Sequence, residues 1–273
     1  MFTVYADASG SDPALPILAL GGFVSTVQQW EEFCKQWPKV LASGSVSVYH
    51  TADLEFRKGE FARWSDKKKL RFQILAYQTL ARYVAVGIAS VVVRADFETL
   101  KIRWHRVRQG KPANHYIFCV YDFIKNVNNW AKDHGYINAP INYVFERGDP
   151  GKGEVEQIFQ DLASDPAFNE RHLIGNVTFS PKRDKDHPEN DKQLQPLQAA
   201  DIWAYESYKH MNNRILPMDS GQKPRAEPRP GYQFLFKERW YLYNTYWDKD
   251  NLAGFAKSIM ESPENVAAKV LSK

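Results

Sequence analysis

Cysteine is scarce in this chain: Cys34 and Cys119 are the only two among 273 residues. They are far apart and form no CxxC pair, so the sequence supports neither a disulfide framework nor a thiolate zinc site. Long apolar runs are missing too. No stretch reaches the ~18 residues of a membrane-spanning helix, and the first residues lack the basic, then apolar, pattern of a secretory leader. There is no internal repeat. The composition is 44% hydrophobic and 25% charged, close to an ordinary globular protein, and indicates neither a disordered nor a membrane class. A cytoplasmic protein with a real hydrophobic core is expected, with no membrane contact. The net charge of +4 is too small to name a partner by itself.

What is present is an ordered alternation of patterns. Phe2 to Gly10 alternates β-formers and ends in Asp7-Ala8-Ser9-Gly10, which predicts a strand that delivers Asp7 to its carboxyl end and then turns. Ile17 to Ser25 predicts a hairpin partner, with Gly21-Gly22 marking a bulge or a close backbone approach. Helical spacing follows over Gln28–Leu41, with Pro38 expected to break or kink it. Ser45–Tyr49 reads as a short β run. Further helices are predicted over about Lys67–Arg82, Pro112–Asp133, Gly153–Ala163 and Leu194–Asn212. Strands are predicted over Tyr83–Arg94, Ile141–Phe145 and Leu173–Phe179. Residues 216–231 are rich in Pro, Gly and charge and read as a linker, and 232–273 as an aromatic, then helical, extension. The expected organisation is a domain over 1–215 whose mixed α/β sheet is flanked by helices, with the extension packed on it.

Three acids stand out by position. Asp7 and Glu146 each end a predicted strand, where ligands of such sheets bind. Asp201 falls on the apolar face marked by Leu194, Leu197, Gln198, Tyr205 and Tyr208, among the small residues Ala199, Ala200 and Ala204. A carboxylate there needs a cation or donors to meet it, and a partner Arg or Lys satisfies that need as well as a metal does. Together, three carboxylates make a hard oxygen site suited to Mg²⁺ or Mn²⁺. Two such ions ~3.5–4 Å apart support phosphodiester hydrolysis.

This arrangement resembles the ribonuclease H-like superfamily and, more narrowly, the bacterial and phage DUF3800 family. The matching blocks are Tyr5-Ala6-Asp7-Ala8-Ser9-Gly10, Gly21-Gly22-Phe23-Val24, His50-Thr51-Ala52-Asp53, Val177-Thr178-Phe179-Ser180 and Leu197-Gln198-Ala199-Ala200-Asp201. The resemblance covers about residues 1–212. It implies a ribonuclease H-like fold and Asp7, Glu146 and Asp201 as metal carboxylates. Ala8 departs from it, standing where the family commonly has Glu; strand alternation turns position 8 to the face opposite Asp7.

Other residues carry two readings each. His50 and Asp53 are candidates for a proton carrier and a fourth acid, or for a packed ring and a turn cap. Arg103, Trp104, Arg106 and Arg108 form a basic, aromatic connector suited to phosphate and base contacts, and equally to a packed Trp among exposed arginines. Lys182 and Arg183, in the loop before the Asp201 helix, suit a phosphate clamp or a solvated loop. The leading function is a metal-dependent nuclease whose partner is DNA or RNA. The alternative is a non-catalytic nucleic-acid- or protein-binding module on the same fold.

Overall fold

The computed structural model describes residues 1–100, 114–136, 139–146, 152–164, 174–180, 195–219, 221–224, 229–236 and 243–260. Its strands are β1 (Phe2–Ser9), β2 (Ile17–Thr26), β3 (Val86–Val93), β4 (Ile141–Glu146), β5 (Ile174–Ser180) and β6 (Asn244–Trp247). Its helices are α1 (Val27–Gly44), α2 (Thr51–Phe56), α3 (Asp66–Tyr83), α4 (Arg94–Leu100), α5 (His115–Asp133), α6 (Lys152–Ser164), α7 (Gln195–His210), α8 (Leu216–Asp219), α9 (Pro230–Phe236) and α10 (Lys249–Met260). The strands form one sheet in the order β5-β4-β1-β2-β3-β6. β1, β2 and β3 pair antiparallel, whereas β4 lies parallel to β1 and β5 parallel to β4. This is the ribonuclease H-like mixed sheet: an antiparallel trio, in which a short turn joins β1 to β2 and α1 to α3 intervene between β2 and β3, continued by two parallel strands.

Strand alternation assigns each face to its own helices. Tyr5 packs edge-on against Trp30 of α1 at 5.0 Å, and Phe23 lies tilted against Trp203 of α7 at 6.0 Å. On the opposite face Phe2 meets Trp130 of α5 at 5.3 Å, and Tyr143 meets Phe159 of α6 at 5.3 Å. β3 is buried along its whole length, because Val and Ile fill both of its faces. α3 lies outside α1, with Phe72 stacked on Tyr49 at 5.4 Å.

Several local expectations are corrected. Ser45–Tyr49 is irregular, not a strand: Ser45 caps α1 with φ 58°, and Val46, Val48 and Tyr49 are buried as a plug. Their β-forming side chains fill core space without a neighbouring strand to pair with. Pro38 sits within α1, which continues to Gly44; it is exposed, so water can meet the carbonyl that loses its donor. α2 and α4 were not anticipated, and a helical turn occupies part of 216–231. The aromatic tail supplies a strand, β6, beside β3. Its anchor is Asp122 of α5, buried, whose Oδ2 accepts from Ser90 Oγ at 2.7 Å, Trp247 Nε1 at 2.8 Å and Thr245 Oγ1. Burial raises the pKa of Asp122, and these donors oppose the rise.

The glycine pair of β2 marks a close approach. A Cβ on Gly21 would lie 2.5 Å from the backbone nitrogen of Ala204 and 2.6 Å from its Cα. Gly21→Ala is therefore expected to force α7 off the sheet at a cost of about 1–3 kcal/mol. Gly254→Ala on α10, where nothing lies within 4 Å, should be neutral or slightly stabilising. Thermal melts of the two variants check this; equal melting temperatures would show that the contact is not tight.

Candidate active site

The register of β1 and β4 sets Ala6 opposite Phe145. One step further, Asp7 and Glu146 stand side by side at the carboxyl ends of neighbouring parallel strands. Continued laterally, the row runs Ser180, Glu146, Asp7, Gly21, Ala89 and Asn244. Register partners project to the same face, so Asp7 and Glu146 share the side on which α7 rides over Gly21. Asp7 is 8% exposed, and its Oδ1 accepts from the Ala8 amide at 2.8 Å. Beyond it the chain must turn at once. Gly10 has φ +79°, and a Cβ there would sit 2.3 Å from the Ile17 carbonyl oxygen, so only glycine fits. Buried Arg94 at the end of β3 holds this turn, donating to the carbonyls of Gly10 at 2.5 Å and Asp12 at 2.7 Å.

Asp201 lies one helical turn before Ala204 on α7, half-buried. Its Oδ2 accepts from the Thr51 amide at 2.6 Å. One turn earlier, Gln198 Oε1 accepts from Trp37 Nε1 and from the Tyr49 amide, both at 2.9 Å. The Gln198–Asp201 pair thus reads the backbone of residues 49–51 and fixes where α2 begins. At that start His50 Nδ1 lies 3.0 Å from Asp53 Oδ2, with both side chains partly exposed. His50 is therefore not a packed core ring.

A buried ion network adjoins this region and was not read from the sequence. Glu206 of α7 is fully buried. Arg229 Nε donates to its Oε2 at 2.9 Å, and Tyr77 Oη donates to its Oε1 at 3.3 Å. The same guanidinium reaches Glu55 of α2 at 2.6 and 3.1 Å, and Lys69 joins Glu55 at 3.0 Å. Burial works against the Arg229 charge, but Glu206 and Glu55 outweigh it and hold its pKa above the ordinary value. Burial raises the Glu55 pKa less than Arg229 and Lys69 lower it. The available signal was Glu206 within the aromatic run Trp203-Ala204-Tyr205-Glu206-Ser207-Tyr208. Arg229 gave none, since it follows a Pro-rich stretch.

His210 ends the same helix, stacked on Tyr232 at 4.0 Å, with its pKa pushed down to about 4 by burial and by Arg214. A depressed histidine stabilises the fold above its unfolded pKa of about 6.5, and that stability is lost as pH falls toward 4. Wild type is thus expected to lose more stability over this window than His210→Gln. The difference should be of order 1–2 kcal/mol after solvent screening, read from urea melts at the two pH values. Parallel curves would remove His210 from the account.

Arg103, Trp104, Arg106, Arg108, Lys182 and Arg183 lie outside the described residues. Of the three acids, the strand register brings Asp7 and Glu146 together, while Asp201 is held to Thr51. The donors are all carboxylate oxygens, the chemistry that Mg²⁺ and Mn²⁺ take. Among the described residues, however, no three His, Cys, Asp or Glu side chains are gathered as ligands for one ion. The donor set fits a hard divalent ion in kind and in strand placement; the gathered side-chain geometry is not there.

No family model and no curated protein matches the sequence. Solved structures do match. The chain is similar to the ribonuclease H2 from Pyrococcus horikoshii OT3, with 12% identity over 89% of each chain and a TM-score of 0.41. It is also similar to the RNase HII of Archaeoglobus fulgidus solved with PCNA, with 12% identity over 87% of this chain and 88% of that one and a TM-score of 0.38. A third is Bst-RNase HIII in complex with Mn²⁺, with 14% identity over 81% of this chain and 56% of that one and a TM-score of 0.38. The fold assignment rests on strand order and direction, not on these distant likenesses. Among the described residues no helix is long and apolar enough to cross a membrane.

Proposed function

We propose that the protein is a divalent-metal-dependent nuclease of the DUF3800 type. The observation that carries this reading is the lateral pairing of Asp7 with Glu146 at the carboxyl ends of β1 and β4, on the face covered by the Asp201 helix. Asp7, Glu146 and Asp201 would hold Mg²⁺ or Mn²⁺. Such ions polarise a phosphodiester and supply a nucleophilic water at neutral pH.

The chain's own residues set the rest. Asp7 stands on a central strand and is oriented through the Ala8 amide. The Thr51 amide donates to Asp201 Oδ2 and orients this carboxylate, which keeps further lone pairs with which it would hold an ion. His50, beside Asp53 and partly exposed, is the candidate to carry a proton between solvent and the reacting phosphate. Arg103, Trp104, Arg106, Arg108, Lys182 and Arg183 are the candidate nucleic-acid contacts, as phosphate-binding cations and a stacking ring. One observation favours a second reading, a non-catalytic binding module: no three-ligand group is gathered among the described residues. Incubation of plasmid DNA, single-stranded RNA and an RNA/DNA hybrid with Mg²⁺, Mn²⁺ or EDTA separates the two. Metal-dependent cleavage is expected, and its absence on every substrate would favour the module.

A further inference from the structure

The nine residues from Arg63 to Arg71, Arg-Trp-Ser-Asp-Lys-Lys-Lys-Leu-Arg, hold five cations and one acid. Two of these charges are already used: Asp66 pairs with Arg57, and Lys69 pairs with Glu55 at 3.0 Å. Arg63, Lys67, Lys68 and Arg71 have no carboxylate within ion-pair distance among the described residues, and all four are exposed. Such a local concentration of cations is not visible in the modest net charge of the whole chain, +4.

Three of these cations line one feature. An open groove of about 410 Å³ runs between the end of α1 and the start of α3, edged by Lys67, Lys68 and Arg71 with Ser43 and Ser65. Phe72 forms part of its floor. Gly44 gives it shape: a Cβ there would lie 2.8 Å from both Phe72 and Trp64, so glycine lets α1 end against α3. The Lys68 ammonium is held 4.1 Å over the Trp64 ring. Lys67 and Arg71 are one turn apart on the same helix face, ~5–6 Å between Cβ atoms.

We propose that this groove binds the phosphodiester backbone of a nucleic-acid duplex. Charge and shape both suit such a backbone. A duplex presents one negative charge per ~1.7 Å of axis, and a row of unpaired cations with serine hydroxyls and no acid answers it. The groove is open, so it suits a continuous chain of phosphates, not one enclosed ion. The positive end of α3 adds to the same field. Position agrees. Lys69 of the run is tied to Glu55 at the end of α2, and Thr51 at its beginning holds Asp201. Six residues of helix, ~9 Å, therefore separate the Glu55 contact of α3, the helix that edges the groove, from the Asp201 contact. Leu70, Ile74 and Leu75 of α3 are also exposed, which makes an anionic lipid surface the competitor. Cations edging a groove favour the duplex; a membrane would be met by a flat apolar face with cations at its rim.

The inference extends the nuclease reading, and its test is independent of turnover. Binding of the full chain to a fluorescent DNA duplex is measured by anisotropy in EDTA between about 50 and 200 mM salt. Lys67→Gln/Lys68→Gln/Arg71→Gln is expected to weaken binding by about ten-fold or more. Its plot of log Kd against log salt should be shallower by about 2–3, near one unit per lost phosphate contact. Lys125→Gln/Lys132→Gln, on α5 across the sheet, should change neither. Unaltered affinity and slope in a folded triple variant would overturn the proposal. So would loss of co-sedimentation with phosphatidylserine vesicles while duplex binding is retained. Should the triple variant not fold, Lys67→Gln and Arg71→Gln singly are each expected to lower the slope by about one, and no change in either would also overturn it. Groove-dependent binding without metal-dependent cleavage supports the groove and removes the nuclease reading; cleavage with an unaltered slope does the reverse.

Discussion

Arg229→Met is expected to cost about 3–5 kcal/mol of stability, the largest effect of any single change considered. Removing one partner of a buried ion pair leaves the other charge uncompensated. Here that charge is Glu206, which is fully buried and has Tyr77 Oη as its other donor, at 3.3 Å. Glu55 would keep Lys69, so the penalty falls on Glu206. The melting temperature should fall by roughly 6–15 °C at neutral pH. The deficit should shrink in acid, because Glu206 without Arg229 has a folded pKa raised above its unfolded value. A raised carboxyl favours the fold below its unfolded pKa and disfavours it as pH rises through the folded one. Glu206→Gln should cost less, since Arg229 retains Glu55. The double variant should cost less than the sum of the two single changes, the signature of direct coupling. Urea melts of the four proteins measure this cycle, and additive costs would show that the pair is not coupled.

Asp7→Asn and Asp201→Asn are each expected to reduce cleavage by about 10³-fold, some 4 kcal/mol of transition-state stabilisation. Both changes keep size and shape. An asparagine carbonyl oxygen can still accept from the Ala8 amide in the first variant and from the Thr51 amide in the second, so the folds should survive. What disappears is the negative charge that holds a divalent ion. Mn²⁺ should raise the melting temperature of wild type by mass action and leave Asp201→Asn nearly unmoved. Duplex affinity in EDTA should be retained, since phosphates are met by cations elsewhere. Cleavage at the wild-type rate in Asp7→Asn would dismiss these carboxylates as the reaction centre.

The legibility of this molecule varied with the range of the interaction. Alternation in Phe2–Ser9 and unbroken β-branched sequence in Val86–Val93 announced strands, because side-chain periodicity is a local property. Gly21 announced a close approach, though not its partner Ala204. The Ser45–Tyr49 run misled for the converse reason: Val46, Val48 and Tyr49 serve burial, and burial without a neighbouring strand leaves irregular chain. β6 was hidden in a short aromatic segment whose strand character depends on Ser90, Asp122 and β3.

What the amino-acid sequence by itself determined is the strands β1 to β5, the longer helices and the three acids they carry. Asp7 and Glu146 terminate β-formers, and Asp201 interrupts the apolar face of a helix, whatever else the chain does. Tertiary structure alone decided the rest. Parallel pairing of β1 with β4 put Asp7 beside Glu146, from opposite halves of the chain. Packing of α7 on Gly21 set the face they share, and the Thr51 amide set the orientation of the Asp201 carboxylate. Arg229 found Glu206 and Glu55 only because α2, α3 and α7 converge. The physical reason is that local patterns report what a residue does to its own backbone, whereas partners distant in sequence are chosen by strand register and close packing, which exist only once the chain has folded.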